Sequence, residues 1–342
     1  MSCLDTYQKL KLKNKTKLLH LDQNKWIELA KVYNGKERDA KKKKILAKIE
    51  ELIERGELIT PINWMHVAEL SKRRDDDSRN RLKDFMIHLS REYVCMPYLH
   101  NEYLKVEFFN YIRNKRGITS FIDIRNGLVG KGALKYFGKR IVSDSENVIN
   151  NVKIIDENIL GLKYILDNLG RERKSMLKFE EGLKKSLPRI QKGIERDEEL
   201  RATKNKDYLK KLFPAKYIFQ FILPKIVNYC KEWNLDEEEQ IKLIFRTDSG
   251  DELSWEEFME FFKQLPSTYT YFCLQSESTN PHIHRREIND TYDIASFSLP
   301  IPYFDAVVGE RFFITRAISN KLDKLYHTKL IYKIEDLEEI LE

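Results

Sequence analysis

Short apolar runs alternate with stretches of helical spacing near the start of the chain. The run Leu18–Leu21 ends at Asp22, and apolar residues then recur from Trp26 to Ala30 at a spacing typical of a helix. Two more short runs, Leu58–Thr60 and Tyr93–Met96, each follow a helical stretch. Strands that alternate with helices are typical of a parallel α/β sheet, and we predict that fold class here.

The middle of the chain has a different pattern. From about residue 101, helical spacing and dense charge replace the alternation, which returns near the C-terminus with strands predicted at Tyr269–Leu274, Ala306–Val308 and Lys329–Tyr332. We therefore predict one α/β domain with a parallel sheet, formed by residues 1–100 and 266–342. A mostly α-helical insertion lobe, residues 101–265, is predicted to interrupt it.

Composition excludes some classes of protein. The 342 residues are 42% hydrophobic and contain no run of 18 apolar residues, so we expect no membrane span. The N-terminus lacks the apolar core of a signal peptide, which makes the cytoplasm the expected location. The four cysteines are far apart in sequence, which argues against a zinc or redox motif.

The positive charge is concentrated at the N-terminus. Residues 1–50 hold 14 Lys or Arg against 6 Asp or Glu, whereas the whole chain has a net charge of +7. A basic end on a balanced body suggests a nucleic acid partner, with a solvated charged surface as the alternative. Lysines alternate up to the first strand, and in an extended segment Lys13, Lys15 and Lys17 would face one side and could contact phosphates.

Acidic residues recur where the predicted sheet should end. Asp22 and Glu310 each follow a predicted strand, and Glu69 and Asp293 lie in helices that follow loops at the same edge. Converging carboxylates repel one another, so such a site requires cations, and oxygen ligands suit Mg²⁺ or Mn²⁺. These ions can activate water for attack on a phosphodiester. Each acid also has a local alternative; Asp22, for example, could simply cap a helix.

A glycine-rich segment, residues 127–132, superficially resembles a phosphate-binding loop. Its spacing does not fit that motif, and Lys131 is followed by Gly132 rather than by Ser or Thr. We therefore interpret it as a connecting loop.

The order of four local patterns resembles the PIN-domain family of metal-dependent nucleases. The first strand leads to Asp22 and Asn24, and the second leads to the helix that contains Glu69. Asp293 begins a helix sixteen residues before Gly309, the position where the family's fourth strand ends. The family usually has Thr and Asp at that strand end, whereas this chain has Gly309 and Glu310.

The resemblance implies a three-layer α/β/α domain, dependence on Mg²⁺ or Mn²⁺, and most often single-stranded RNA as the substrate. Many members of the family are toxins or antiviral defence effectors. The expected catalytic residues are Asp22, Glu69, Asp293 and Glu310. The expected metal ligands are Asp22, Glu69 and Asp293, with Asp290 competing for the third place. Asp305 precedes its strand and is not expected to be a ligand. The expected substrate-binding residues are Asn24, Arg285, Arg286, Lys13, Lys15 and Lys17.

Three functions remain open from the sequence. The first is a metal-dependent endoribonuclease, with a helical lobe that could act as a lid, a sensor or a surface for a homo-oligomer or regulatory protein. The second is a catalytically silent nucleic-acid-binding or scaffold protein. The third is a structure-specific DNA nuclease that uses the same carboxylates.

Overall fold

The computed structural model describes residues 16–97, 100–118, 121–136, 145–168, 202–246, 251–278 and 288–341, with scattered positions between 177 and 200. The chain divides into two compact units. The first consists of Met1–Tyr98, Asp123–Leu183 and Ala295–Glu342, and the second consists of Leu99–Ile122 and Lys184–Ile294. These bounds do not coincide with the predicted ones, because part of the central region belongs to the same unit as the two ends of the chain.

The first unit is mixed α/β, which confirms the predicted fold class. Its elements are β1 (Lys17–Leu21), α1 (Gln23–Tyr33), α2 (Ala40–Glu54), β2 (Leu58–Ile59), α3 (Trp64–Lys72), α4 (Asp76–Ser90), β3 (Val94–Cys95), α6 (Ile124–Leu128), β4 (Val129–Gly130), α7 (Ala133–Tyr136), α8 (Glu146–Asn158), α9 (Leu162–Asp167), α16 (Pro300–Tyr303), β5 (Ala306–Val308), α17 (Arg311–Ser319), α18 (Leu322–Tyr326), β6 (Lys329–Ile331), a 3₁₀ turn (Ile334–Leu337) and α19 (Glu338–Leu341).

The main sheet has four parallel strands in the order β2-β1-β5-β6. Strand β1 lies between β2 and β5, with Leu21 opposite Val308 at its last position. The carboxyl ends of β1 and β5 therefore lie side by side at one edge of the sheet. The predicted third strand, in contrast, pairs outside this sheet, because β3 runs antiparallel to β4 and is linked to the β2 side by an isolated bridge from Ile62 to Val94.

A continuous apolar core holds helices α1, α2 and α4 against strands β1 and β5. Fully buried side chains from all of these elements contribute, including Leu19, Leu21, Trp26, Leu29, Ile49, Phe85 and Val308. Burying one side chain of this size contributes roughly 1.5–3 kcal/mol to folding. The core therefore supplies the stability that lets polar and charged groups gather at the edge of the sheet.

The second unit is built from helices in its described part. They are α5 (His100–Lys115), α10 (Lys206–Tyr217), a π-helical turn (Ile218–Ile222), α11 (Leu223–Glu232), α12 (Glu237–Phe245), α13 (Trp255–Lys263), α14 (Pro266–Ser278) and α15 (Ile288–Ser298), whose last residues from Ala295 belong to the first unit. Within the described residues, no helix has both the length and the apolar character needed to cross a membrane.

One sequence prediction in this unit is wrong. Tyr269–Leu274, predicted as a strand, lies inside helix α14. The first turn of that helix is capped from a distance, because the backbone N–H of Ser267 donates to Oε1 of Glu107 at 2.7 Å. Glu107 is only 1% exposed, and a partner 160 residues away leaves no local signal in the sequence.

Candidate active site

The site begins where β1 and β5 end. The backbone N–H of Asp22 donates to the carbonyl of Val308 at 2.9 Å, which continues the pairing of the two strands by one residue. Gly309 and Glu310 follow β5 directly. Asp22 and Glu310 therefore follow adjacent parallel strands at the same edge of the sheet, as the sequence pattern predicts.

Asp22 combines a structural role with an unfavourable charge. It is the N-cap of α1, and its Oδ1 accepts a hydrogen bond from the N–H of Gln23 at 2.8 Å. Its side chain is only 6% exposed. The pKa of Asp22 is raised to about 6, chiefly by burial and also by the charge of Glu310, against the opposing effects of the Gln23 hydrogen bond and Lys25. Capping alone does not require this burial.

The same charges affect the pKa of Glu69, which lies on helix α3. Burial raises the pKa of Glu69 to about 7, with contributions from the charges of Asp22 and Glu310. Lys72 and Arg73 act in the opposite direction. Asp22, Glu69 and Glu310, which we call the acid cluster, are thus close enough to repel one another. Such a cluster is stabilised either by taking up a proton or by binding a cation.

Asn24 holds the exposed member of the acid cluster. Glu310 occupies the N-cap of α17, but its side chain makes no capping hydrogen bond. Its Oε1 instead accepts a hydrogen bond of 2.6 Å from Nδ2 of Asn24. An amide donor to one carboxylate oxygen orients the group and leaves the other oxygen available. Asn24, predicted to bind substrate, is therefore placed to position Glu310.

Gly309, the unexpected residue at the end of β5, has a packing explanation. A Cβ atom at this position would lie 2.4 Å from Cζ of Phe297. Phe297 is fully buried and also packs against Phe313 at a ring distance of 5.7 Å. A threonine, as in the resembling family, would require this aromatic ring to move.

Two buried histidines connect the elements that carry Asp22 and Glu69. The rings of His20 on β1 and His66 on α3 are stacked with centroids 5.5 Å apart. Burial lowers the pKa of His66 to about 3 and that of His20 well below its ordinary value, so both are neutral at neutral pH. His66 Nδ1 also accepts from the N–H of Asn63 at 3.1 Å and completes the cap of α3. The pair fixes α3 relative to β1 without adding charge.

Three basic side chains near the acid cluster were missed by the sequence reasoning. The charge of Lys25 lowers the pKa of Asp22, and the charges of Lys72 and Arg73 lower the pKa of Glu69. The signal was present, because Lys25 comes three residues after Asp22, and Lys72 and Arg73 come three and four residues after Glu69. Residues at these spacings share one side of a helix.

The other predicted residues belong to the second unit, lie at the opposite end of β1, or fall outside the described ranges. Asp290 is 6% exposed and Asp293 is half-buried, and both lie in the part of α15 that belongs to the second unit. Lys17 opens β1, at the opposite end of the strand from Asp22, and its Nζ donates to the carbonyl of Ile340 at 2.9 Å. Four predicted substrate-binding residues lie outside the described residues: Lys13, Lys15, Arg285 and Arg286.

Asp305 makes contacts that suit a structural role. Its Oδ2 accepts hydrogen bonds of 2.6 Å from the N–H of Leu18 and from Arg125, which also donates to the carbonyl of Thr16 at 3.1 Å. Leu18 and Thr16 lie at the start of β1. Asp305 is therefore at the edge opposite the acid cluster, as expected from its position before β5.

The carboxylate of Asp156 packs against the end of the glycine-rich segment. Oδ1 of Asp156 accepts from the N–H of Leu134 at 2.9 Å, and its Oδ2 would lie 2.0 Å from a Cβ built on Gly132. Gly132 has a φ of +95°, a conformation that favours glycine. Asp156 thus closes the short connection between β4 and α7. The interpretation of the segment as a connecting loop is wrong for residues 127–130, which form the end of α6 and strand β4.

The donor chemistry of the acid cluster fits a hard divalent cation. Its three carboxylates offer only oxygen ligands, and the burial of Asp22 and Glu69 together with the charge of Glu310 favours the binding of positive charge. Within the described residues, however, no group of three or more His, Cys, Asp or Glu is arranged to hold one ion at once. Mg²⁺ commonly uses one or two carboxylates and keeps several waters, so it does not need such a group.

Comparisons of the chain with known proteins found no match. No protein-family model, curated protein or solved structure matches the chain.

Proposed function

We propose that the chain is a metal-dependent endoribonuclease with a PIN-like, three-layer α/β/α domain that cleaves single-stranded RNA. The observation that carries the proposal is the mutual electrostatic effect of Asp22, Glu69 and Glu310 at one edge of a parallel sheet. Open α/β sheets place ligands at this edge. A toxin or defence role belongs to the same proposal, through the resemblance alone.

The acid cluster would hold Mg²⁺ or Mn²⁺ through Asp22 and Glu69. Such an ion supplies a water of lowered pKa and stabilises negative charge on a phosphate. Asn24 orients Glu310, whose remaining oxygen is available to accept a proton from water. Lys25, Lys72 and Arg73 provide positive charge at the cluster, which favours the approach of a phosphate. The prediction that Asp293, or Asp290 in its place, supplies a further ligand stays a prediction.

Cleavage assays on labelled single-stranded RNA and single-stranded DNA test the proposal. Wild type in Mn²⁺ is compared with Asp22→Asn, Glu69→Gln and the control Glu51→Gln, an exposed carboxylate on α2. We expect RNA cleavage by wild type and the control, at least a roughly 100-fold loss in the two cluster variants (about 3 kcal/mol in transition-state stabilisation), and no cleavage in EDTA. Equal cleavage by Asp22→Asn would contradict the proposal. Asp293→Asn and Asp290→Asn in the same assay decide between these two residues.

A silent nucleic-acid-binding protein is the second candidate. It is favoured by the lack, within the described residues, of a preformed group of three metal-binding side chains. This function predicts RNA binding without turnover in any divalent cation, and binding that Asp22→Asn leaves unchanged.

A further inference from the structure

The second unit carries an exposed surface on which lysines and aromatic rings alternate. Lys204, Tyr208, Lys211 and Phe219 follow one another at intervals of four, three and eight residues. Lys211 and Phe219 come three and eleven residues after Tyr208, spacings that bring side chains to one side of a helix, and Lys204 comes just before α10. All four side chains are exposed, and we call this surface the lysine–aromatic stripe.

The aromatic rings of the stripe are accessible yet held in place. Tyr208 is 51% exposed and Phe219 is 56% exposed. The ammonium of Lys204 lies 5.9 Å from the centroid of the Tyr208 ring. Phe219 stacks on Phe258 at 6.4 Å, and Phe258 in turn stacks on Phe245 at 6.0 Å. An aromatic ring that is supported on one side and exposed over half its surface is suited to stacking.

A local distortion of the helix presents Phe219 to solvent. The turn Ile218–Ile222 is π-helical, with the N–H of Leu223 donating to the carbonyl of Ile218. Pro224 explains this widening, because it lacks an N–H and its ring clashes with a carbonyl four residues earlier in a regular α-helix. Ile218 and Ile222 are fully buried, while Phe219 and Phe221 between them are more than half exposed. Turns of this kind are frequent at functional sites.

The segment of sequence that carries the stripe is basic, which favours a polyanionic partner. Residues 204–225 contain one acid, Asp207, and six lysines: Lys204, Lys206, Lys210, Lys211, Lys216 and Lys225. The cores of protein–protein interfaces are depleted in lysine, which argues against a protein partner. Surfaces that bind single-stranded nucleic acid combine positive charge with aromatic rings on which bases stack.

We propose that the lysine–aromatic stripe binds single-stranded nucleic acid, with unpaired bases stacked on Tyr208 and Phe219 and phosphates held by Lys204 and Lys211. The two rings are three helical turns apart, about 16 Å along the axis, so the contact spans several nucleotides. This binding does not depend on the acid cluster, and it holds whether or not the chain cleaves RNA.

Fluorescence anisotropy in EDTA tests the stripe. The probes are a labelled 15-nucleotide oligo(U) and an RNA duplex of the same length. We expect wild type to prefer the single strand, Tyr208→Ala/Phe219→Ala to bind it at least tenfold more weakly, and Phe219→Trp to retain binding. The matched control is Phe121→Ala, since Phe121 is 52% exposed in the same unit but lies off the stripe.

Salt dependence measures the lysine contribution separately. Lys204→Ala/Lys211→Ala should reduce the slope of log affinity against log salt by about 1.4, close to 0.7 for each phosphate that is no longer neutralised. Lys231→Ala, which replaces an exposed lysine at the end of α11, should leave the slope unchanged. Circular dichroism of each variant verifies that the helices remain folded.

Three results would overturn the inference. In the first, wild type and Tyr208→Ala/Phe219→Ala bind oligo(U) equally well. In the second, wild type binds the duplex and the single strand with equal affinity. In the third, wild type self-associates and binds no RNA, and the double variant no longer self-associates. Asp22→Asn must retain oligo(U) binding if the stripe acts alone. Failure of the nuclease proposal, seen as no cleavage, is therefore distinguishable from failure of this one, seen as no stripe-dependent binding.

Discussion

Asp22→Asn should stabilise the fold while it removes the proposed activity. Asn keeps an oxygen that can cap α1 at the N–H of Gln23, so the local hydrogen bond survives. What disappears is a buried negative charge that Glu69 and Glu310 repel. A residue that costs stability yet stands at a sheet edge is typical of a functional site.

The size of the gain follows from the pKa of Asp22. Burial raises that pKa to about 6 from the ordinary 3.8, and this difference corresponds to about 3 kcal/mol for the ionised form. Asn still has to bury a polar amide, so we expect a net gain of about 1–3 kcal/mol at pH 8. Because the native pKa lies above the unfolded one, the native state binds more protons between pH 3.8 and 6, and wild-type stability falls as pH rises through that window.

Thermal and urea unfolding in EDTA at pH 8 and pH 4.5 measure the effect. The advantage of Asp22→Asn should be largest at pH 8 and fall to about a third at pH 4.5, where protonation relieves the wild-type charge. Adding Mn²⁺ at pH 8 should stabilise wild type, by about 2.7 kcal/mol at 100 times the dissociation constant, and should stabilise Asp22→Asn much less. The control Glu51→Gln should differ little from wild type in every condition, because its ion pairs with Lys48 and Arg55 lie on the exposed surface, where such pairs contribute little. A less stable Asp22→Asn at pH 8, together with equal Mn²⁺ effects on all three proteins, would refute the reasoning.

Three further predictions test the fold by urea unfolding, starting at pH 7. Gly309→Ala should lower the free energy of unfolding by about 1–3 kcal/mol, because its Cβ would collide with Phe297. Adding Phe297→Leu should remove much of this loss. If the effects of the two substitutions simply add, the steric explanation is wrong. Lys42→Met should lower the free energy of unfolding by about 1–2 kcal/mol, because Lys42 Nζ lies 2.6 Å from the carboxylate of Glu28. Since the pKa of Glu28 is lowered in the folded state, this loss should shrink as the pH falls below about 4.5. A loss that does not depend on pH would contradict the ion pair. Glu107→Ala should cost about 1–3 kcal/mol by uncapping α14, and hydrogen exchange should show faster exchange in the first turn of that helix and unchanged exchange in α1.

The elements that the sequence predicts correctly carry their signals locally. Asp22 and Ser254 both have the pattern of helix caps, and the side chain of each accepts a hydrogen bond from the first turn of its helix. The acids at the ends of β1 and β5 are predictable because parallel strands must end at one edge. In each case the residue and its cause are a few positions apart, or are linked by a rule of sheet topology.

The elements that the sequence does not predict depend on distant partners. The segment Tyr269–Leu274 has the residues of a strand, but Glu107 caps the helix that contains it. Strand β3 is expected in the parallel sheet, whereas its partner is β4, with Val94 opposite Gly130. The hydrogen bond between Asn24 and Glu310 joins residues 286 positions apart. Such contacts arise only from the folded chain.

The departure at Gly309–Glu310 illustrates how a local change and its compensation occur together. Phe297 occupies the space that a side chain at position 309 would need, so the strand ends without a hydroxyl. The next residue is longer than the Asp of the resembling family, and Asn24 binds its carboxylate at 2.6 Å. A longer side chain has more conformations to lose, and a hydrogen bond from a neighbouring helix limits that freedom. On this argument Asn24→Ala should weaken the proposed cleavage mainly through kcat. Glu310→Asp should weaken it in the same way, because the shorter side chain would lose the hydrogen bond from Asn24.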